Sequence, residues 1–309
     1  MLTRGDTMQG ISCMNNKTLR WIVSLPPTVY LLVFFVVPSL IMVVASFRYP
    51  GEFGGLAPLF DKDETGTHLN LTLENYTRFG STFIYLELFI KSSIFAALTT
   101  IICLLIAYPL AMLIARSKKK YRDLLILLVI LPFWSNFLIR VYAWMIILGP
   151  QSIFAKAINA VIGVFGFEPM PLLFTPFAVL VGLVYVHLPF MVLPLYANLE
   201  KHDPALLDAA QDLGASAWQR FWRVTFPLSL PGVYAGAALV FIPALGIFAI
   251  PDLLGGTSGI MIGNLIKLQF LETRDWPFGS ALSIILTLFA LLLAGSAAWI
   301  ARPKRMANA

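Results

Sequence analysis

Asp252 is the residue whose surroundings first suggest chemistry. It follows Pro251 and precedes Gly255-Gly256, within an apolar run long enough to cross a bilayer, and a carboxylate there is costly enough to count as a functional candidate. The other reactive residue types speak against an enzyme. The three histidines stand at 68, 187 and 202, without metal-ligand spacing, and no serine sits in a nucleophile context that would pair with His187. No G-x-x-x-x-G-K-[ST] phosphate loop occurs, so the chain does not itself hydrolyse ATP by that mechanism. Cys13 and Cys103 fall in a tail and inside an apolar run, where neither suits an extracellular disulfide.

A second concentration of polar chemistry is DPALLDAAQDLGASAWQRFWRVTFPLSLPG, from Asp203 to Gly232. Asp203 can cap a helix whose first position is Pro204, where a missing N–H does no harm. Gly214 suits the left-handed exit after ALLDAAQDL, and Ser216 can cap a second helix running to Pro227. Leu206, Ala209, Ala210 and Leu213 form an apolar stripe with small residues at its centre, flanked by Asp208, Asp212, Arg220 and Arg223. That is the anatomy of a docking knob. The pattern also fits an amphipathic pair lying in the headgroups, with Trp218, Phe221 and Trp222 as interfacial anchors, and the two readings are compatible.

The elements that must position these residues follow from composition. The 309 residues are 59% hydrophobic and 12% charged, against about 25% charged in an average soluble chain. Six apolar runs stand out: Ile22–Phe47, Tyr85–Ala115, Leu124–Leu148, Leu173–Ala197, Val233–Leu254 and Ser280–Ala301. Each offers the roughly 20 residues that a helix needs to cross a bilayer core, and each is too long and too poor in two-residue alternation for a barrel strand. The expected fold class is an all-α integral membrane protein with six transmembrane helices. Most Lys and Arg residues fall in the two tails and in the second and fourth connections, which makes both termini cytoplasmic. The net charge of +6 then reflects topology and implies no nucleic acid. The first run is too long for a cleavable signal core and reads as an uncleaved anchor, with Met8 and Met14 leaving the start codon open. The expected organisation is a tail over 1–21, a six-span domain over 22–301 with a large cytoplasmic loop at 198–231, and a second tail over 302–309.

The connections are unequal. RYPGEFGGLAPLFDKDETGTHLNLTLENYTRF, between the first two runs, is acidic in its middle and reads as an exposed loop. The fifth connection carries Ile262, Leu265, Ile266 and Phe270 at helical spacing, which predicts a short helix at the outer surface. Pro132, Pro189, Pro194, Pro243 and Pro251 interrupt three adjacent runs. Each removes a backbone donor and frees a carbonyl that must find another partner in lipid, and five together favour a pathway over isolated kinks. Glu87 and Lys91 read as an i, i+4 pair, and His187 as a hydrogen-bonded bundle residue.

These residues reach a resemblance. With Asp208-Ala209-Ala210 where Glu-Ala-Ala recurs, and with Gly214 and Pro227 at the fixed spacings, the Asp203–Gly232 stretch resembles the cytoplasmic signature loop of ABC-importer permeases. LPFWSNFLIRVYAW (131–144), LVYVHLPFMVLPLYANLEK (183–201), IPDLLGG (250–256) and IGNLIKLQFLETRDWPFG (262–279) extend the likeness over nearly the whole chain. They are similar to the spermidine/putrescine (polyamine) importer permeases of the binding-protein-dependent transport inner-membrane component family.

The resemblance implies a type I ABC-importer permease fold in a bacterial inner membrane, working by alternating access. The implied partners are a dimer of ABC ATPase subunits, a second similar permease, a periplasmic or extracellular substrate-binding protein, a polyamine substrate and the lipid bilayer. The chain would be non-catalytic and bind no cofactor, ATP and Mg residing in the partner ATPase. Asp203, Leu206, Asp208, Ala209, Ala210, Asp212, Gly214 and Pro227 would form the knob that enters the ATPase cleft, and the external loops around Asn75 to Phe83 and Gly255 to Phe278 would meet the binding protein.

A polyamine pathway must replace ammonium hydration with carboxylates, carbonyls and aromatic faces, a cation over a ring gaining about 0.5–2 kcal/mol. The candidates are Asp252, Trp134, Asn136, Tyr142, Trp144 and Tyr185. Plainer roles stand beside these: Asp252 capping the following turn or pairing with Arg140, and the aromatics acting as packing or interfacial residues. A self-sufficient secondary transporter would want inverted repeats or more mid-membrane ionisable groups, and neither is visible.

Overall fold

The structure is a computed structural model that describes residues 16–63, 66–166 and 168–300. Cys13, Met8, Met14, most of the first expected tail and all of the second lie outside the described residues, and residues 16–21 open the first helix. The contacts divide the chain into two units: residues to Tyr76 with Asp275–Ile284, and Thr77–Arg274 with the chain from Ile285.

In the first unit, helix α1 (Asn16–Leu31) continues through a π turn into α2 (Val37–Ser46), giving an apolar path over Ser24–Ser46. The wide turn, in which Val37 N–H reaches Leu32 O, stands just ahead of Pro38, the residue with no donor to give. The segment after α2 carries the one exception to helical structure among the described residues. Strands β1 (Phe60–Asp63) and β2 (Gly66–Leu69) pair antiparallel, with Phe60 opposite Leu69 and Asp63 opposite Gly66. Without helical periodicity, this segment satisfies its backbone groups across a hairpin. Helix α3 (Glu74–Ser81) follows. Asn75 Nδ2 donates to the carbonyls of Ser46 (2.9 Å) and Arg48 (3.0 Å), and the Tyr76 hydroxyl meets Ser46 Oγ at 2.7 Å, so the free end of α2 is satisfied by side chains.

The second unit contains α4 (Phe83–Arg116), α5 (Lys119–Ile130), α6 (Phe137–Leu148), α7 (Ile153–Val164), α8 (Pro176–Leu199), α9 (Ala205–Asp212), α10 (Ala217–Arg220), α11 (Phe226–Gly246) and α12 (Ile262–Leu271). Helix α13 (Trp276–Ile300) begins in the first unit and ends in this one. Helices α4, α8 and α11 form the core. A Cβ on Gly232 would stand 2.7 Å from Asn198 Cβ, and one on Gly236 2.6 Å from Met191 Sδ. Lipid supplies no hydrophobic force between helices, so this G-x-x-x-G face joins α11 to α8 through close approach and dispersion. A buried hydrogen bond of 2.8 Å between Tyr108 and Ser229 joins α4 to α11, and Cys103 is buried as a free thiol.

Of the three runs expected to be interrupted by proline, the fourth is instead one unbroken helix, α8, with Pro189 and Pro194 inside it, while the third and fifth are broken. The third is a pair of helices bent by 91°. Pro132 opens a short 3-10 turn, Leu131–Trp134, and Asn136 starts a new helix by accepting the Leu138 N–H at 2.8 Å. The fifth helix starts at Ala217 rather than Val233 and runs to Gly246. Pro227 does not end the helix beginning at Ser216, because a π turn over Phe221–Thr225 precedes it, with Phe226 N–H reaching Phe221 O. The wider turn accommodates a residue that has no N–H. The run then breaks after Gly246 and resumes as a second π turn, Pro251–Gly255. Among the described residues, five helices are long and apolar enough to cross a membrane, or six if the bent pair is counted as one span.

Candidate functional site

The Asp203–Gly232 stretch builds its protruding part from local interactions. Asp203 Oδ1 accepts the Ala205 N–H at 3.0 Å, which starts α9. At the other end Ala215 N–H reaches Ala210 O (3.0 Å) and Gly214 N–H reaches Gln211 O (2.8 Å), with Gly214 at φ +80°. This paired closure requires a left-handed residue, and glycine adopts it without a Cβ penalty. Ser216 and Gln219 then form a reciprocal capping box for α10. Arg220 Nη1 donates to Gln211 Oε1 at 2.6 Å and fixes the corner between α9 and α10.

None of the α9 side chains is buried. Leu206 is 47% exposed and Leu213 89% exposed, Asp203, Asp208, Ala209, Asp212 and Gly214 are exposed, and Ala210 is half-buried. A short, doubly capped helix with a bare small-residue stripe has the form of a docking element. Pro227 stands apart from it, inside the long helix. Of the three expected interfacial aromatics, Phe221 instead packs edge-on against Tyr108 at 5.4 Å, while Trp218 and Trp222 remain exposed. Between α9 and the ends of α4 and α8 lies a cavity of about 470 Å3, lined by Met112, Arg116, Leu199, His202, Leu207 and Leu228 among others.

Asp252 lies on the π turn that follows the break in the fifth run. It neither caps the following turn nor meets Arg140. Its Oδ2 accepts from Lys267 Nζ at 2.7 Å, and Oδ1 accepts from Asn264 Nδ2. Asn264 also donates to Phe248 O at 3.0 Å, and the Lys267 ammonium stands 5.9 Å from the Phe248 ring centre. The hydrogen bond and negative charge of Asp252 hold the Lys267 pKa above the ordinary lysine range. Arg140 lies instead over the Phe133 ring at 5.0 Å, with its Nε buried and unpartnered.

Helix α12 can reach this carboxylate because of Gly263. A Cβ there would stand 2.5 Å from Gly246 O and 2.7 Å from Ile247 O, so only glycine lets α12 lie against the broken end of α11. The Ile262 N–H is held by the buried Ser92 Oγ at 2.7 Å. Nearby, Lys91 donates to Ser258 O at 2.6 Å, and the expected i, i+4 ion pair with Glu87 does not occur among the described residues.

The other pathway candidates divide by environment. Trp134 and Tyr142 are exposed. The Asn136 side-chain oxygen is engaged in capping α6. Tyr185 meets Trp144 edge-on at 5.6 Å, and both pack on an apolar cluster that includes Val141, Leu183, Ile250 and Leu254. His187 is buried with Nδ1 2.8 Å from Leu183 O, as its position in the bundle suggested. No group of three or more metal-ligating side chains occurs among the described residues.

Sequence reasoning missed Asn264 and Lys267. Their i, i+3 spacing puts them on one face of α12, but nothing local says which carboxylate that face meets. It also passed over Gly232 and Gly236, although GVYAG spells a helix-packing motif within an apolar run.

Comparison with known proteins bears on the family and the fold. Residues 107–303 match the family described as binding-protein-dependent transport system inner membrane component. The chain is 43% identical over 267 residues to the spermidine/putrescine transport system permease protein PotB of Haemophilus influenzae, covering 85% of this chain and 87% of that protein. It is also 43% identical to PotB of Escherichia coli over 84% of this chain and 89% of that one. Among solved structures, a bacterial ABC transporter involved in the import of the acidic polysaccharide alginate shares the fold, with a TM-score of 0.70, 18% identity, and coverage of 94% of this chain and 96% of that chain.

Proposed function

We infer from the family to which this chain belongs, the binding-protein-dependent transport system inner membrane components, that it is the permease subunit of an ATP-driven importer of polyamines. It is a non-catalytic, multi-pass inner-membrane protein. The observation that carries the substrate class is the near full-length identity to proteins named for spermidine and putrescine. An acid in a broken helical segment, with a cation already bound to it, supports that reading chemically.

In this reading the energy comes from outside the chain. A dimer of ATPase subunits, holding ATP and Mg, receives α9 in its cleft through Leu206, Asp208, Ala209, Ala210 and Asp212. The capped ends at Asp203 and Gly214 keep that helix rigid, so a movement of the ATPase passes through α10 and the π turn before Pro227 into α11. Because α10 and α11 form one continuous helical path, a push on the knob displaces the span directly. A second permease completes the pathway, and a substrate-binding protein delivers the cargo. Alternating access then exposes Asp252, Trp134, Asn136, Tyr142 and Tyr185 to the cargo in turn.

The test is ATP-dependent uptake of labelled spermidine into vesicles that hold the whole complex. Uptake that requires ATP and the binding protein supports the reading. A complex that hydrolyses ATP yet moves no polyamine would overturn the substrate class and leave the importer class standing.

A further inference from the structure

The carboxylate that a polyamine ammonium would need is already held by an ammonium of the protein's own. Lys267 Nζ lies 2.7 Å from Asp252 Oδ2 and faces the Phe248 ring at 5.9 Å. A carboxylate and an aromatic face around one ammonium are the groups by which a polyamine nitrogen would be recognised. The two partners differ in mobility. Asp252 is fixed by Asn264, which is pinned in turn by Phe248 O, and the close approach at Gly263 holds α12 against the break in the fifth run. Lys267 stands at the end of a flexible four-carbon stem. Both side chains are about one third exposed, at 32% and 33%, so the pair is reachable and its cation is able to leave.

We propose that Lys267 is a tethered competitor of the substrate, whose ammonium occupies Asp252 in the empty transporter and must be displaced before a substrate ammonium can bind there. The inference rests on the polyamine reading above. The exchange is ammonium for ammonium, because a lysine held above its ordinary pKa range is protonated at neutral pH. It also makes Lys267 a specificity determinant. A tethered group competes at a high effective concentration. A monoamine must overcome this with one contact, whereas a polyamine anchored by a second nitrogen does so intramolecularly.

The experiment measures binding of labelled spermidine, and competition by n-butylamine, on the complete complex in nanodiscs without the binding protein. With Lys267→Met, spermidine should bind about tenfold more tightly and butylamine should become an effective competitor, because the competent fraction of Asp252 rises. With Lys267→Arg, a guanidinium able to grip both carboxylate oxygens should weaken spermidine binding several-fold. Both shifts should vanish in an Asp252→Asn background. A purely structural pair would give losses in both variants and no opposite shifts. Unchanged or weaker binding in Lys267→Met, in a complex whose wild type imports spermidine, sinks the competitor and leaves the polyamine reading intact. A wild type that hydrolyses ATP but neither binds nor imports spermidine sinks both. Should Lys267→Met fail to assemble, Lys267→Gln takes its place: it also removes the competing charge, so tighter spermidine binding supports the competitor and unaltered or weaker binding sinks it.

Discussion

The α9 segment and the Asp252 site belong to the same unit and are held by opposite means. Every interaction that shapes α9 is local: Asp203 with Ala205, Gly214 with Gln211, Ser216 with Gln219. Among the described residues, Leu206, Ala209 and Leu213 of its apolar stripe are exposed and Ala210 is half-buried. The Asp252 site is built from segments brought together by folding, the Phe248–Asp252 turn and α12, and its charges are satisfied internally. Under the proposed function, the first is the surface for a protein partner and the second the site for a small cation. In that reading the protein surface is rigid and exposed, whereas the cation site is neutralised by Lys267 until the substrate replaces it.

The largest expected effect would break the contrast on the α9 side. Asp208→Lys should remove the ATPase on purification and lower ATP-dependent spermidine uptake about tenfold or more, as removal of a docking contact can. Because the Asp208 side chain is exposed and makes no hydrogen bond or ion pair among the described residues, the thermal unfolding midpoint of the permease should stay near wild type, a surface change being worth within about 0.5 kcal/mol. A complex that keeps its ATPase and its uptake would assign α9 to the membrane surface instead.

The next effect falls on the tertiary site. Gly263→Ala forces a Cβ onto the carbonyls of Gly246 and Ile247, and overpacking of this kind costs about 1–3 kcal/mol. The expected result is a lowered unfolding midpoint and reduced uptake, with the ATPase still copurifying because α9 is untouched. Joint loss of uptake and ATPase would show that the two sites are not separable in this way. The smallest effect sharpens the local side. Ser216→Ala removes one half of the capping box, worth about 1 kcal/mol, and should speed amide exchange at Ala217–Gln219 about fivefold while leaving Asp252 and Lys267 paired. Unaltered exchange there would mean that Arg220 and Gln211 alone hold the corner.

Much of the α9 segment was legible from its residues, because caps act within four positions: Asp203, Gly214 and Ser216 do in the structure what their types suggest. The end of the second helix was not legible. Pro227 reads as a stop, and only the π turn ahead of it reveals a helix that continues. The bend at Ser135-Asn136 lay between these cases, since Pro132 announced an interruption but not an angle of 91°. Asp252 was visible as an acid out of place, yet its partner was misassigned, because Arg140 and Lys267 are equally basic in one dimension.

By itself the sequence determined the membrane class, the helical character of the apolar runs and the capped knob. These depend on composition, on periodicity and on hydrogen bonds between near neighbours. Tertiary structure alone decided which cation meets Asp252, why Gly263 and the GVYAG face must lack side chains, and where the third and fifth runs break. Those outcomes depend on the close approach of segments far apart in the chain, where a single Cβ or a single ammonium changes what can touch.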